Sequence, residues 1–162
     1  MALFRRRRPE PRPAAEAEQP RLTGSQLLVQ QLRDAGGSPR SEAVAVPLET
    51  FFEGNDDAGS IAPDLGDHPG PARIYEVLRI LRARADVLDV VVLVRMEADE
   101  YEPDEWPFAE AVHVITSAPA ESFSAVADLL DADPVEVGGW SDDALSHPPV
   151  PPGHHVCTIW WD

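Results

Sequence analysis

The chain has 162 residues, of which 43% are apolar, and this size suits one domain that buries its own core without a disulfide or a structural metal. It carries 29 acidic against 13 basic residues, and a negative field of this strength repels phosphates, which excludes nucleic acid as a ligand of the folded part. No apolar stretch approaches the roughly 18 residues of a membrane span, and the single cysteine, Cys157, excludes a disulfide within the chain.

The basic residues are all arginine, and alanine, valine, aspartate and proline are abundant. This usage indicates a bacterial genome of high GC content and not a functional choice. We expect a cytoplasmic protein, because no apolar secretory segment follows Met1 and Cys157 has no partner for a bridge.

Residues 1–21 are predicted to form a disordered basic arm. They contain six arginines, four prolines and almost no apolar residues, so burial cannot offset the entropy lost on ordering. A solvated leader is the simpler interpretation, and contact with RNA, anionic lipid or the acidic body is the alternative. Residues 22–162 are predicted to form a single α+β domain, with seven arginines against 26 acidic residues.

The first predicted helix begins at Thr23, which has capping-box spacing to Gln26. Its apolar residues Leu28, Leu32 and Ala35 fall on one face, and two glycines then end it. This stripe is short, so we expect the helix to pack on the outside of the domain.

The next segment, residues 42–52, is predicted to be a strand because Val and Ala occupy alternating positions. Pro47 cannot donate a ladder hydrogen bond, which indicates an edge strand or a bulge. A second helix is predicted from Pro71, since apolar residues recur there at helical spacing: Ile74, Val77, Leu78, Leu81 and Ala85. The unbroken run 90–94 is typical of a strand in the middle of a sheet.

The remaining predictions alternate between strands and a helix. They are a strand at 111–118, a helix opened by Ser117 and Pro119 and closed at Asp133, a short strand at 134–140, a surface excursion at 141–153 and a last strand at 154–162. The order of elements predicts a ferredoxin-like α+β fold of the split βαβ pattern, with helices on one face of an antiparallel sheet, plus the N-terminal helix and an extra C-terminal strand. Pro47 conflicts with that topology, which places the first strand inside the sheet.

The segment FFEGNDDAGSIAPDLGDHPG, residues 51–70, is the main candidate for a functional site. Loops of this length in compact domains are uncommon unless they are functional or disordered. The candidate partner-binding residues are Glu53, Asn55, Asp56, Asp57, Asp64 and Asp67, together with Trp161 at the end of the last strand. A cation site formed by Asp56, Asp57 and His68 is a weaker interpretation, because the spacing is not that of a calcium loop. An ordered structural loop is the third, since Asn, Asp and Gly favour turns.

Other residues have both a structural and a chemical interpretation. The arginines of the second helix are expected to pair internally with carboxylates, with an anion-binding surface as the alternative. His147, His155 and Cys157 are expected to be structural, although such groups also bind zinc or form a nucleophile. Glu53 or Asp57 would need an apolar pocket to act in acid-base catalysis.

The chain contains none of the phosphate-binding, dinucleotide-binding, zinc-protease or nucleophile-elbow motifs, so no family is recognised and no cofactor or catalytic residue is assigned. The favoured hypothesis is a non-enzymatic acidic domain that binds or regulates a cationic protein, for example as an inhibitor or immunity-like partner of a basic protein. The alternative is a small metal-assisted hydrolase that uses the acidic loop 53–68.

Overall fold

The protein is described here from a computed structural model, which covers residues 22–34, 43–95, 105–140 and 144–161. The predicted basic arm, residues 1–21, lies outside this part of the chain. The helices are α1 (Gly24–Asp34), α2 (Leu48–Phe52), α3 (Pro71–Arg82) and α4 (Ser124–Leu130). The strands are β1 (Ala43–Pro47), β2 (Val87–Arg95), β3 (Ala109–Thr116), β4 (Glu136–Gly138), β5 (Ala144–Ser146) and β6 (His155–Trp160).

The strands form one sheet in the order β4-β6-β3-β2-β1-β5. Neighbours from β4 to β1 are antiparallel, and β5 adds to β1 in the parallel sense. The predicted α+β class with an antiparallel sheet is therefore confirmed. Alternate strand residues such as Val92, Val112 and Ile159 join residues of all four helices in one core cluster, which places the helices on one face of the sheet.

The ferredoxin-like split βαβ topology is not confirmed, because β1 lies beside β2 and antiparallel to it instead of between β3 and β6. The loop after α2 explains the difference. It returns along the sheet to form a bridge between Ile61 and Ala109, at the end of the sheet where β1 begins. Helix α3 then leads back to the other end, so β2 starts where β1 finished and runs in the opposite direction.

Pro47 closes β1 instead of sitting inside a strand that continues to Phe52, so the predicted strand 42–52 is wrong beyond this residue. Leu48, Phe51 and Phe52 are buried at helical spacing, and their burial favours the short helix α2 over a longer strand. The predicted edge position of Pro47 agrees with the structure locally: β5 pairs only with Ala43 and Val44 of β1, and no described strand flanks Pro47 on that side.

Helix α1 begins with the predicted capping box. The backbone N–H of Thr23 donates to Gln26 Oε1 at 3.0 Å, and the N–H of Gln26 donates to Thr23 Oγ1 at 3.3 Å. Leu28 and Leu32 are buried as predicted, and Ala35 lies outside the described residues. Helix α1 therefore packs its buried residues against the core next to α2.

Helix α4 is shorter than its predicted range. Residues Ala120–Phe123 form a turn of 310 helix, and α4 ends at Asp131, which adopts the left-handed conformation with φ of 51°. Phe123, Ala127 and Leu130 are buried as expected. The early stop leaves residues 132–135 as an extended connection into β4.

Part of the second face of the sheet, at His113, is covered by Trp140 and by His147 of the predicted surface excursion, residues 141–153. Its strand β5 was not predicted, and Trp140 stacks between His147 at 4.5 Å and His113 at 5.1 Å, measured between ring centroids. Trp160 packs on this face beside Ala111. None of the described helices combines the length and the apolar character that a membrane span requires.

Candidate partner-binding surface

The acidic loop is held in shape by Asn55, whose side chain is buried. Its Nδ2 donates to Ser60 Oγ at 2.9 Å and to the carbonyl of Phe51 at 3.3 Å, and its Oδ1 accepts the N–H of Asp57 at 3.0 Å. Asp57 Oδ1 then accepts the N–H of Gly59 at 2.8 Å and caps a short 310 turn. Asn55 is thus a structural residue and does not belong to an exposed binding surface.

His68 fixes the far end of the loop. Its Nε2 lies 2.7 Å from the carbonyl oxygen of Ile61, and its Nδ1 accepts the N–H of Gly70 at 2.9 Å. This pattern requires the neutral tautomer with the proton on Nε2. Both ring nitrogens are engaged, so His68 has no free nitrogen for a metal ion. Gly70 has a φ of 87°, a backbone conformation that residues with a side chain adopt only with strain, and it allows the chain to turn into α3.

Most of the carboxylates in the loop are exposed to solvent. Glu53, Asp56, Asp64 and Asp67 are exposed, and Asp57 is half-buried. Among the described residues these carboxylates take part in none of the ion pairs, which join other acids to the arginines of α3 and its C-terminal turn. We call Glu53, Asp56, Asp64 and Asp67 the loop acids; their charge is directed outward on an ordered backbone.

Three of the four arginines in α3 and the turn after it pair internally, as expected, but with acids outside the loop, and Arg79 lies over the ring of Tyr75. Arg73 bonds Glu76 at 2.6 Å, and Arg84 holds Asp86 with two nitrogens at 2.7 and 2.9 Å. A two-pronged contact also joins Arg82 to Glu49 on α2, with one of its hydrogen bonds at 3.0 Å. The guanidinium of Arg82, through these hydrogen bonds, lowers the pKa of the Glu49 carboxyl from 4.5 to about 2.

Replacing Glu49 by glutamine is expected to lower the free energy of unfolding by about 1 kcal/mol at neutral pH, a small value because the carboxylate side chain is 41% exposed and solvent screens the pair. Because the pKa of Glu49 is lower in the folded state than in the unfolded state, its ionised carboxylate stabilises the folded protein above the unfolded pKa of 4.5. The difference in unfolding free energy between the wild type and the variant should therefore be complete above pH 4.5 and disappear as the pH falls towards 2. Urea unfolding across this pH range measures it. Glu76→Gln, which breaks a more exposed pair, should cost at most about 0.5 kcal/mol, and a Glu49→Gln deficit that persists at pH 2 would contradict the assignment.

Trp161 lies next to the loop in space. Its indole Nε1 donates to the carbonyl of Leu130 at 3.0 Å, and its ring packs against the main core. Together with Asp64 and Pro63 it lines a small cleft of about 50 Å³. The structure therefore brings two of the predicted partner-binding residues together, although most of the Trp161 ring has a packing role.

The candidate cation site is not assembled in the described part of the chain, where no group of three His, Cys, Asp or Glu side chains is close enough to hold a metal ion. Asp57 already caps the 310 turn, and His68 is engaged through both nitrogens. The ligands proposed for a metal-assisted hydrolase would have to break these hydrogen bonds first.

Cys157 is fully buried under α4 on β6. Burial raises the pKa of its thiol, and the negative charge of Glu121 raises it further. The thiol is therefore kept protonated, which makes it a poor nucleophile and a poor metal ligand. His147 stacks on Trp140 instead of approaching this cysteine.

The sequence interpretation missed a second acidic surface. Glu121 and Asp128 line a cleft beside α4, near the open edge of the sheet at β4. Their spacing of seven residues would place both side chains on one face of a helix, which is the signal that was available. It was overlooked because the acidic loop holds more carboxylates in one continuous stretch.

Comparison with known proteins gives one family. The profile described as "Uncharacterized protein YfbO family" matches residues 23–159. The curated protein "Uncharacterized protein YfbO" of Escherichia coli (strain K12) is 33% identical over 128 residues, which cover 77% of this chain and 87% of that protein. No solved structure matches the chain significantly. The matched range begins with the capping box of α1 and ends one residue before the end of β6, so it contains nearly the whole described sheet, and the chain belongs to the YfbO family.

Proposed function

We propose that the protein is a bacterial, non-enzymatic binding or regulatory domain that docks a cationic protein through the loop acids. An inhibitor or an immunity-like partner of a basic protein is the role that suits such a surface. A cytoplasmic location belongs to the same proposal, and the single reduced cysteine supports it.

One observation supports the proposal above the others: the loop acids are exposed, carry no internal counter-charge among the described residues and stand on a backbone fixed by buried hydrogen bonds. Charges on an ordered backbone lose less conformational entropy when they bind than charges on a flexible loop, which favours specific docking over diffuse attraction. Fixed negative potential also speeds the encounter with a cationic protein.

Neutralising the loop acids tests this proposal. The variant Glu53→Gln, Asp56→Asn, Asp64→Asn, Asp67→Asn removes four charges and leaves Asn55 and Asp57 to hold the loop. We expect the association rate of a fluorescent oligo-arginine peptide to fall several-fold at low salt, by stopped-flow anisotropy. The difference should disappear near 1 M salt, where the screening length is about 3 Å.

A charge-matched control separates a docking surface from the net charge. The variant Glu121→Gln, Asp128→Asn, Asp131→Asn, Glu136→Gln also removes four exposed carboxylates, none of which belongs to the loop. If both variants slow the oligo-arginine peptide equally, the loop acids have no special role in the encounter. Association that does not depend on salt would remove the electrostatic basis altogether.

The metal-assisted hydrolase remains the alternative hypothesis, and it predicts a different result. A divalent ion that binds only the native state raises its melting temperature. A thermal-shift series with Ca²⁺, Mg²⁺, Mn²⁺ and Zn²⁺ therefore distinguishes the two hypotheses. A shift that is lost in an Asp56→Ala, Asp57→Ala double variant would favour the hydrolase, and no shift would favour the binding domain.

A further inference from the structure

A cleft of about 360 Å³ lies between the 310 turn before α4, the α4 helix and the connection into β4. Small apolar side chains form its walls, and two carboxylates and one hydroxyl add polar groups. The lining residues are Ala120, Glu121, Ser124, Ala127, Asp128, Ala132, Pro134 and Val135. This volume is at the lower end of ligand pockets and suits the side chains of a peptide.

The cleft continues directly into an edge of the sheet. Strand β4 follows Val135 and, among the described strands, pairs only with β6. Alternate residues of an edge strand direct their N–H and C=O groups away from the sheet, where a further strand can bind them. Val137 pairs in register with Cys157, so its side chain lies on the helical face, and it is 61% exposed. An apolar side chain is thus displayed beside unpaired backbone groups.

The charges around this cleft define what can bind there. Three exposed carboxylates line it or adjoin it, and none takes part in the ion pairs between described residues. We call them the cleft acids: Glu121, Asp128 and Asp131. They attract arginine or lysine, and they oppose self-association, because a two-fold contact between two copies would bring these carboxylates against one another.

We propose that the cleft binds an extended cationic segment of a partner protein, which adds to the sheet as a strand along β4. An apolar side chain of the segment enters the cleft beside Val137, and its basic side chains meet the cleft acids. Backbone hydrogen bonds give this mode its affinity, and the alternating side chains give it specificity. The inference goes beyond the proposed function, because the surface is separate from the loop acids and does not depend on them.

A short capped peptide of alternating arginine and leucine is the probe. Binding to the full chain, measured by fluorescence anisotropy at low salt, should weaken about tenfold when the peptide is N-methylated at alternate residues, which removes the strand hydrogen bonds and keeps the charge. Glu121→Gln with Asp128→Asn should weaken the unmodified peptide by a similar factor. Amide hydrogen exchange should show new protection at residues 136–138 when the peptide is bound.

The variant with neutralised loop acids is the matched control and should bind this peptide within about threefold of the wild type. Equal affinity for the methylated and unmodified peptides would overturn strand addition. A loss of binding only in the loop variant would overturn the cleft as the site while supporting the proposed function. Tighter binding after removal of residues 1–21 would assign the cleft to the chain's own arginine segment, and peptide-independent dimers that Val137→Lys abolishes would assign it to a second copy.

Discussion

Replacing Phe51 by alanine is expected to lower the free energy of unfolding by about 3–5 kcal/mol, because the ring is fully buried and its removal leaves a cavity in the core. The ring meets Phe52 edge-on at 4.9 Å and Trp106 at 6.3 Å, measured between centroids. It therefore joins α2 to the segment that leads into β3, and its loss would loosen both.

The same substitution should also affect the loop acids. The carbonyl of Phe51 accepts a hydrogen bond from Asn55, the residue that organises the loop. Urea unfolding measures the stability, and amide exchange at Asp57 and Ser60 reports on the loop. Ile80→Ala, at an apolar residue that is 66% exposed on α3, should change stability by no more than about 0.5 kcal/mol. A loss below about 1 kcal/mol for Phe51→Ala would show that the core collapses around the cavity.

Local patterns predicted the elements whose stability depends on near neighbours in the chain. The capping box of Thr23 and Gln26 involves residues three apart, and the stripe of α3 repeats every three to four residues. The unbroken apolar run 90–94 is enough to predict a central strand, and the strand that contains it, β2, lies between β1 and β3. In these cases the residues that determine the element lie close together in the sequence.

Long-range contacts could not be predicted in the same way. Arg82 and Glu49 lie 33 positions apart, and nothing in either segment identifies the other as its partner. The strand order depends on the path of the acidic loop, which bridges to β3 through Ile61. Helix α2 was missed because its five residues are too few for a helical period to stand out from a strand of similar composition.

The candidate site was predicted in part. The sequence identified the loop and its carboxylates, and the same turn-forming chemistry that suggested a structural loop is present in the bonds of Asn55 and Asp57. The distinction between a structural side chain and an exposed one depends on burial, which the pattern GNDD does not encode. Asn55 and Asp56 are neighbours in the chain, yet the first is buried and the second faces solvent.

Deletion of residues 160–162 is expected to destabilise the protein by at least about 3 kcal/mol and to lower the melting temperature by roughly 10 °C. Trp160 pairs with Ala111 in the sheet, and its carbonyl accepts the N–H of Asp133 at 3.0 Å. Trp161 adds the hydrogen bond to Leu130 and packs on the main core. The two rings lie on opposite faces of the sheet, so the deletion removes cover from both.

A single substitution separates the contributions of this terminus. Trp161→Phe keeps an apolar ring and removes the indole N–H, so it should cost about 1 kcal/mol, the usual value of one hydrogen bond. If Trp161 also contacts a cationic partner beside Asp64, the same variant should weaken that binding by more than its loss of stability explains. An unchanged melting temperature after the deletion would mean that β6 stays packed against α4 and β3 without its last residues. Trp161 would then have no role in stability, and binding would be its only role.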